Sequence, residues 1–209
     1  MKKILCFGDS NTYGYTPTTG IRYDKKTRWS GRLADLLGKD YEILEEGMNN
    51  RNGFFKNPQS VKLCGVDYLP IFLQNHRDID ICILALGTND SQFFYNLDKQ
   101  TVQKGLQSLT NSLLEVNPKT KIIILPPVNI QANILDGIFS MQFDLTSVDK
   151  TVETFEEYKN FAQKHDFYYL DLNAFVKPSG SDGLHYSPES HKIMAEKIAE
   201  KIKQIPLSE

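Results

Sequence analysis

Apolar residues in this chain come in short runs separated by longer stretches of a different period. Residues 4–7, 41–44, 79–86, 121–125 and 167–170 are largely apolar, and several of these runs lack the alternation of a strand wetted on one side. Continuous apolar runs of this length predict strands covered on both faces, as in a parallel sheet. Between them, residues 30–37, 68–74, 101–116, 152–164 and 188–203 carry helical spacing. Val102, Leu106, Leu109, Leu113 and Val116 form one stripe, which Asn117 and Pro118 bring to an end. In the last helix Ser187 is placed to cap, Pro188 takes the first position, and Ile193, Met194, Ile198 and Ile202 share a face.

Strand and helix alternating in this way predict an α/β fold: a three-layer α/β/α domain with a five-stranded parallel sheet and right-handed crossovers. No repeat or low-complexity linker interrupts the pattern, so residues 1–209 are expected to form a single domain. Residues 126–147 stand apart. They hold Ile130, Ile134, Leu135, Ile138, Phe139, Met141 and Phe143 with few charges, and a connection of that length serves as a lid, a pocket wall or a subunit contact.

Composition narrows the function classes. With 24 Lys and Arg against 26 Asp and Glu, the net charge of -2 lacks the one-signed excess that a nucleic-acid or anionic-membrane partner calls for. Three cysteines, two of them inside strand runs (Cys6 and Cys82) and one in a loop-like stretch (Cys64), read as a reduced set rather than a disulfide framework. No CxxC pair or Cys/His ligand spacing is present, so neither a metal nor another cofactor is expected. Lys2 and Lys3 imitate the start of a signal peptide, but the apolar run after them ends at Gly8, far short of the roughly 7 to 15 residues of an h-region. No stretch approaches the ~20 apolar residues of a membrane span, and the expected compartment is the cytoplasm.

In open α/β sheets, ligands bind outside the carboxyl ends of the strands. Four polar, glycine-bearing segments fall there: residues 8–12 after the first strand, 45–49 after the second, 87–90 after the third, and 182–187 ahead of the last helix. Each alone reads as turn or cap chemistry, with Gly47 serving a positive φ and Asn89-Asp90 an N-cap. Together they hold the parts for acyl transfer. Ser10 is the candidate nucleophile, His185 the general base, and Asp182, three positions before it, the carboxylate that orients the imidazole. Gly47 through its N–H, Asn89 through its amide and Ser10 through its own N–H are the candidate oxyanion donors. His76, His165 and His191 are read as structural.

Taken together, these blocks resemble the SGNH (GDSL-type) esterase and acylhydrolase superfamily: Ser10 in FGDSNTYG, Gly47 in EEGMNNR, Asn89 in LGTND, and Asp182 and His185 in DGLHYS. The resemblance spans nearly the whole chain. It implies a flavodoxin-like fold, a metal-free serine mechanism with the roles just assigned, and a small-molecule ester as substrate. FGDSNTYGYTP with TRWSGRLADLLG and EEGMNNR is most similar to the bacterial aryl esterase and acetylesterase branch, some of whose members assemble into homo-oligomers. Asn11 stands where the family's Leu is usual, a departure that bears on substrate fit. The absent second glycine of G-x-S-x-G argues against the larger α/β-hydrolase fold.

Two rival readings are weighed. Asp9 opening Asp-x-Asn-x-Thr resembles the Asp-x-Asp-x-Thr loop of magnesium-dependent haloacid dehalogenase-like phosphatases, although position 11 lacks the second carboxylate. The other rival is a binding module that keeps the fold without the chemistry, against which all five catalytic positions stand intact. Tyr13, Tyr15, Trp29, Phe54, Phe93 and Phe94 lie near the blocks in sequence and are candidate walls of an acyl or aryl pocket as well as ordinary core.

Overall fold

The computed structural model describes residues 1–206; the last three positions of the expected domain, 207–209, lie outside the described residues. The five apolar runs become β1 (Lys2–Gly8), β2 (Tyr41–Gly47), β3 (Ile81–Ala85), β4 (Lys121–Leu125) and β5 (Tyr168–Tyr169). The helices are α1 (Ser10–Tyr13), α2 (Trp29–Leu37), α3 (Gly65–Leu73), α4 (Lys99–Val116), α5 (Leu145–Lys164) and α6 (Pro188–Lys203).

All neighbouring strands pair parallel, in the order β2-β1-β3-β4-β5. Strand pleating divides the core in two. Ile4 and Cys6 of β1 join Ile81, Ile83 and Ile123 under α2 and α6, through Trp29, Leu33, Met194 and Ile198. Leu5 and Phe7 point the other way, joining Cys82 and Leu84 under α3, α4 and α5, through Leu69, Leu106, Tyr158 and Phe161. Both faces are therefore dry, which is why the strand runs read as continuously apolar. Cys6, Cys64 and Cys82 are buried and free.

Several boundaries differ from the sequence expectation, α3 among them, which starts at Gly65 rather than at 68. Strand β2 was expected to end at residue 44, with residues 45–47 in a loop. It continues to Gly47, paired with Gly8, because the Glu45 carboxylate is neutralised by Arg28 (2.5 Å to Nε) and Arg22 (3.1 Å) and accepts from Ser30 Oγ (2.8 Å). Helix α5 starts at Leu145 rather than 152, where Asp144 and Ser147 form a reciprocal capping box. The apolar connection accordingly spans 126–144 and contains two 3-10 turns, Ala132–Asp136 and Ile138–Met141. Ile130, Ile134 and Phe143 from it are buried in the core, whereas Ile138 and Met141 are exposed.

His191 is buried in α6, with its Nδ1 accepting the Trp29 backbone N–H at 3.2 Å and its Nε2 buried without a partner. Burial, helped by nearby His185, pushes its pKa down to about 3. The unfolded chain takes up this proton near pH 6.5, so stability falls as pH drops from there toward 3, at up to about 1.4 kcal/mol per pH unit. Urea midpoints measured across this window should decline less steeply in His191→Gln than in the unaltered protein.

Candidate active site

The strand order reverses at β1: α2 leads out to β2 at one edge, and α3 carries the chain back over the opposite face to β3. The gap this leaves beyond β1 and β3 is the expected crevice of such a sheet. Asp9 caps the single turn of α1, its carboxylate accepting the Asn11 N–H at 2.9 Å, and so sets Ser10 at a helix N-terminus. Asn89 opens a 3-10 turn after β3.

The loop 182–187 closes over this edge. His185 Nε2 lies 2.9 Å from Ser10 Oγ, and His185 Nδ1 lies 2.9 Å from Asp182 Oδ2. The other Asp182 oxygen accepts the backbone N–H groups of Leu184 (3.0 Å) and His185 (2.9 Å). Gly183 makes this return possible with φ 68°. Burial pushes the Asp182 carboxyl upward, but the ring hydrogen bond of His185 and the backbone donors outweigh it and hold the group below the usual carboxylate range. Tyr15 stacks on the His185 ring at 4.1 Å between centroids, and Phe139 lies at 5.1 Å.

Around Ser10 and His185 is a cleft of about 300 Å³, walled by Tyr15, Ile138, Phe139 and Phe143 and by the polar side chains of Asn49, Asn50, Asn89 and Gln142. Asn89 donates to the Arg51 carbonyl at 3.0 Å and accepts from Gln92 Nε2 at 3.3 Å, which fixes its amide. Gly47 ends β2, and a Cβ there would overlap the backbone of Thr12 and Tyr13.

Several expectations change. Asp9 is buried with its carboxylate turned to its own helix and borders a separate, small cavity of about 30 Å³ rather than the cleft, so it is not presented as a nucleophile. Asn11 likewise borders that cavity and not the cleft; its amide donates to the Leu184 carbonyl at 3.2 Å, so it ties the 182–187 loop to α1 instead of shaping substrate fit. Of the six candidate aromatics, Tyr15 lines the cleft. Trp29 is core and donates to the Asn11 carbonyl at 3.1 Å, Phe54 packs in the second core, Tyr13 lies under the Arg22 guanidinium, and Phe93 and Phe94 are exposed.

Sequence reasoning passed over two buried charges here. Asp90 does not cap its own turn; its carboxylate accepts the N–H groups of Gly53 (2.6 Å), Phe54 (2.7 Å) and Phe55 (3.4 Å), while burial lifts its pKa to about 6. Arg51 sits under β1 and β2 with its donors on backbone carbonyls. The signal available was a charged residue in each polar block, Arg51 with no assigned role and Asp90 read only as part of an N-cap. Among the described residues no three His, Cys, Asp or Glu gather to hold a metal ion.

Fold and site together define a class, a three-layer α/β hydrolase with a hydrogen-bonded Ser-His-Asp chain beyond the carboxyl ends of parallel strands. The chain belongs to the GDSL-like lipase/acylhydrolase family, whose model matches residues 6–193. The native aryl esterase of M. smegmatis superposes with a TM-score of 0.89 at 26% identity, over 99% of this chain and 100% of that one. A carbohydrate acetylesterase from Sinorhizobium meliloti does so at 0.87 and 28% identity, over 97% and 99%. At 18% identity, a lipase/acylhydrolase from Enterococcus faecalis shares the fold, with a TM-score of 0.71 over the full length of both chains. No curated protein matches the chain significantly. The protein is a carboxylic ester hydrolase.

Replacing Gly47 tests how tightly the edge of the cleft is built. The methyl of Gly47→Ala has to displace the Thr12–Tyr13 backbone beside Ser10, so ester hydrolysis should fall by about 10² or more, as a shift of the reacting groups by about an ångström does. The thermal midpoint should drop as well.

Proposed function

We propose that this enzyme hydrolyses small, uncharged carboxylic esters through an acyl-enzyme on Ser10. The observation that carries the reading is the continuous relay from Ser10 Oγ through both ring nitrogens of His185 to Asp182, each link 2.9 Å. Ser10 Oγ attacks the ester carbonyl carbon while its proton passes to His185 Nε2, and Asp182 stabilises the imidazolium. The N–H groups of Ser10 and Gly47 and the amide of Asn89 receive the developing oxyanion. Collapse breaks the ester C–O bond, and the alcohol leaves with the proton from Nε2. Water then attacks the acyl group, again giving its proton to His185, and releases the acid with Ser10 restored.

Among the described residues lining the cleft none is Lys, Arg, Asp or Glu, which supports an uncharged substrate. A cleft of about 300 Å³ is at the small end for ligand sites and favours a short acyl chain. Its apolar wall suits an acetyl or aryl group and its Asn and Gln side chains an alcohol rich in hydroxyls, so short-chain, aryl and acetylated sugar esters are the substrates we assign. The three free, buried cysteines support a reducing, cytoplasmic setting; the bacterial sources of the similar esterases support a bacterial one, and the near-neutral charge the absence of a nucleic-acid partner. Residues 1–206 are assigned to one domain because both apolar layers share a single sheet. Ile138, Met141 and Leu145, exposed along one segment, are the surface on which a homo-oligomer would form.

Ser10→Ala and His185→Ala should each lower p-nitrophenyl acetate turnover by about 10⁴ or more while leaving the far-UV spectrum unchanged. Turnover retained in either variant would refute the assignment. With acetyl to octanoyl esters, kcat/KM should be highest for the shortest chains. Light scattering should give a mass above that of one chain, reduced by Ile138→Glu.

A further inference from the structure

Arg51 is 1% exposed, and its hydrogen bonds run to backbone rather than to a carboxylate. Nε donates to the Lys62 carbonyl (2.8 Å), and Nη1 donates to the carbonyls of Gly8 (3.1 Å) and Glu46 (2.5 Å). Its nearest carboxylate oxygen in ion-pair range, on Glu46, is 3.8 Å from Nη2, and its guanidinium lies over the rings of Phe7 (4.6 Å) and Tyr68 (5.1 Å). Burying a guanidinium is costly, and packing alone is served as well by an apolar side chain of the same size. The three carbonyls it engages therefore call for a reason of their own.

Two of those carbonyls adjoin the proposed oxyanion donors. The Glu46 carbonyl belongs to the same peptide unit as the Gly47 N–H, so a cationic donor on that oxygen fixes the plane of the unit. It also draws electron density away from the N–H, strengthening it as a donor. The Gly8 carbonyl ends β1 one residue before the cap of α1, and Gly8 is paired with Gly47. The third donor is held from the other end of the same residue, because the Arg51 carbonyl accepts the Asn89 amide at 3.0 Å.

We infer that Arg51 is the positioning residue of the oxyanion hole, setting the Gly47 peptide, the start of the Ser10 turn and the Asn89 amide relative to one another through backbone contacts. The inference rests on the assignment of Ser10 as nucleophile. Arg51 touches no substrate; it acts through the donors, so its removal weakens binding of the transition state more than of the ester.

In Arg51→Gln, kcat for p-nitrophenyl acetate should fall about 10²-fold, as for a lost oxyanion donor, with KM within about twofold. Inhibition by phenylboronic acid, which becomes tetrahedral on a serine, should weaken by a similar factor. Arg51→Lys keeps the charge but cannot span the carbonyls as a fork, and should recover activity to within about tenfold of the unaltered enzyme. A folded Arg51→Gln with kcat within threefold of the unaltered enzyme would overturn the inference, as would a loss confined to KM or unchanged boronate affinity. If Arg51→Gln does not fold, Arg51→Lys decides on the same measurements: a lower kcat at constant KM supports the role, and full kcat overturns it. A fluorophosphonate probe separates the two levels of the argument. An unaltered enzyme that is not labelled at Ser10 removes both the nucleophile assignment and this inference, whereas labelling beside a full-speed Arg51→Gln removes the inference alone.

Discussion

Parallel pairing of all five strands sends every carboxyl end to one edge of the sheet, and the reversal at β1 opens that edge. Helix α2 covers one face on the way to β2, and α3 covers the other on the way to β3, so no crossover helix fills the space beyond β1 and β3. Polar chain enters it instead: residues 9–12 from β1, 48–53 from β2 and 87–91 from β3. Loops packed this closely leave backbone groups short of water, and each has to find a partner. Asp90 receives three N–H groups of the 53–55 stretch, Arg51 serves carbonyls at the ends of β1 and β2, and Asn52 Nδ2 donates to Tyr95 Oη. These buried charges and amides are what sheet reversal demands of the sequence, and they hold the cleft rim rigid without lining it.

The relay through His185 follows a similar logic on a smaller scale. A buried carboxylate is unfavourable unless hydrogen bonds replace its water. The 182–185 turn supplies two backbone N–H groups and the ring of His185 from within itself, so Asp182 and the imidazole form a unit before either meets Ser10. What remains is to aim that unit. Tyr15 and Phe139 flank the ring, and Asn11 ties the loop to α1 through the Leu184 carbonyl.

Much of this was legible in the sequence because period and motif act locally. Runs such as Lys121–Leu125 are apolar at every inward position on both faces, so strand type and parallel pairing followed, and the blocks around Ser10, Gly47, Asn89 and Asp182/His185 fell after strands or before a helix where the crevice had to be. The failures share one cause, which is long-range compensation. Glu45 looked like a loop residue until Arg22, Arg28 and Ser30 were seen to neutralise it inside β2. Asp90 looked like a cap for its own turn, and Asn11 like a departure bearing on substrate fit, because their partners are distant in the chain: 53–55 for one and Leu184 for the other. Helix α5 was read seven residues short because its first turns bury Ser147, Thr151 and Thr154 instead of apolar side chains.

The distribution of charge around the cleft has a chemical meaning. Arg51, Asp9 and Asp90 are all buried behind the loops, while the walls that a substrate meets are neutral apart from what the relay itself develops. A neutral ester can then enter without displacing a counter-ion or forming an ion pair that would hold the ground state as tightly as the transition state. On the proposed assignment, charge appears only as the carbonyl oxygen becomes an oxyanion, in front of N–H groups and an amide that are already oriented, so little reorganisation is required at that moment. Formal charge placed behind the backbone sharpens those dipoles without binding substrate, which favours turnover over affinity and suits an enzyme whose cleft is small and whose substrates offer few other contacts.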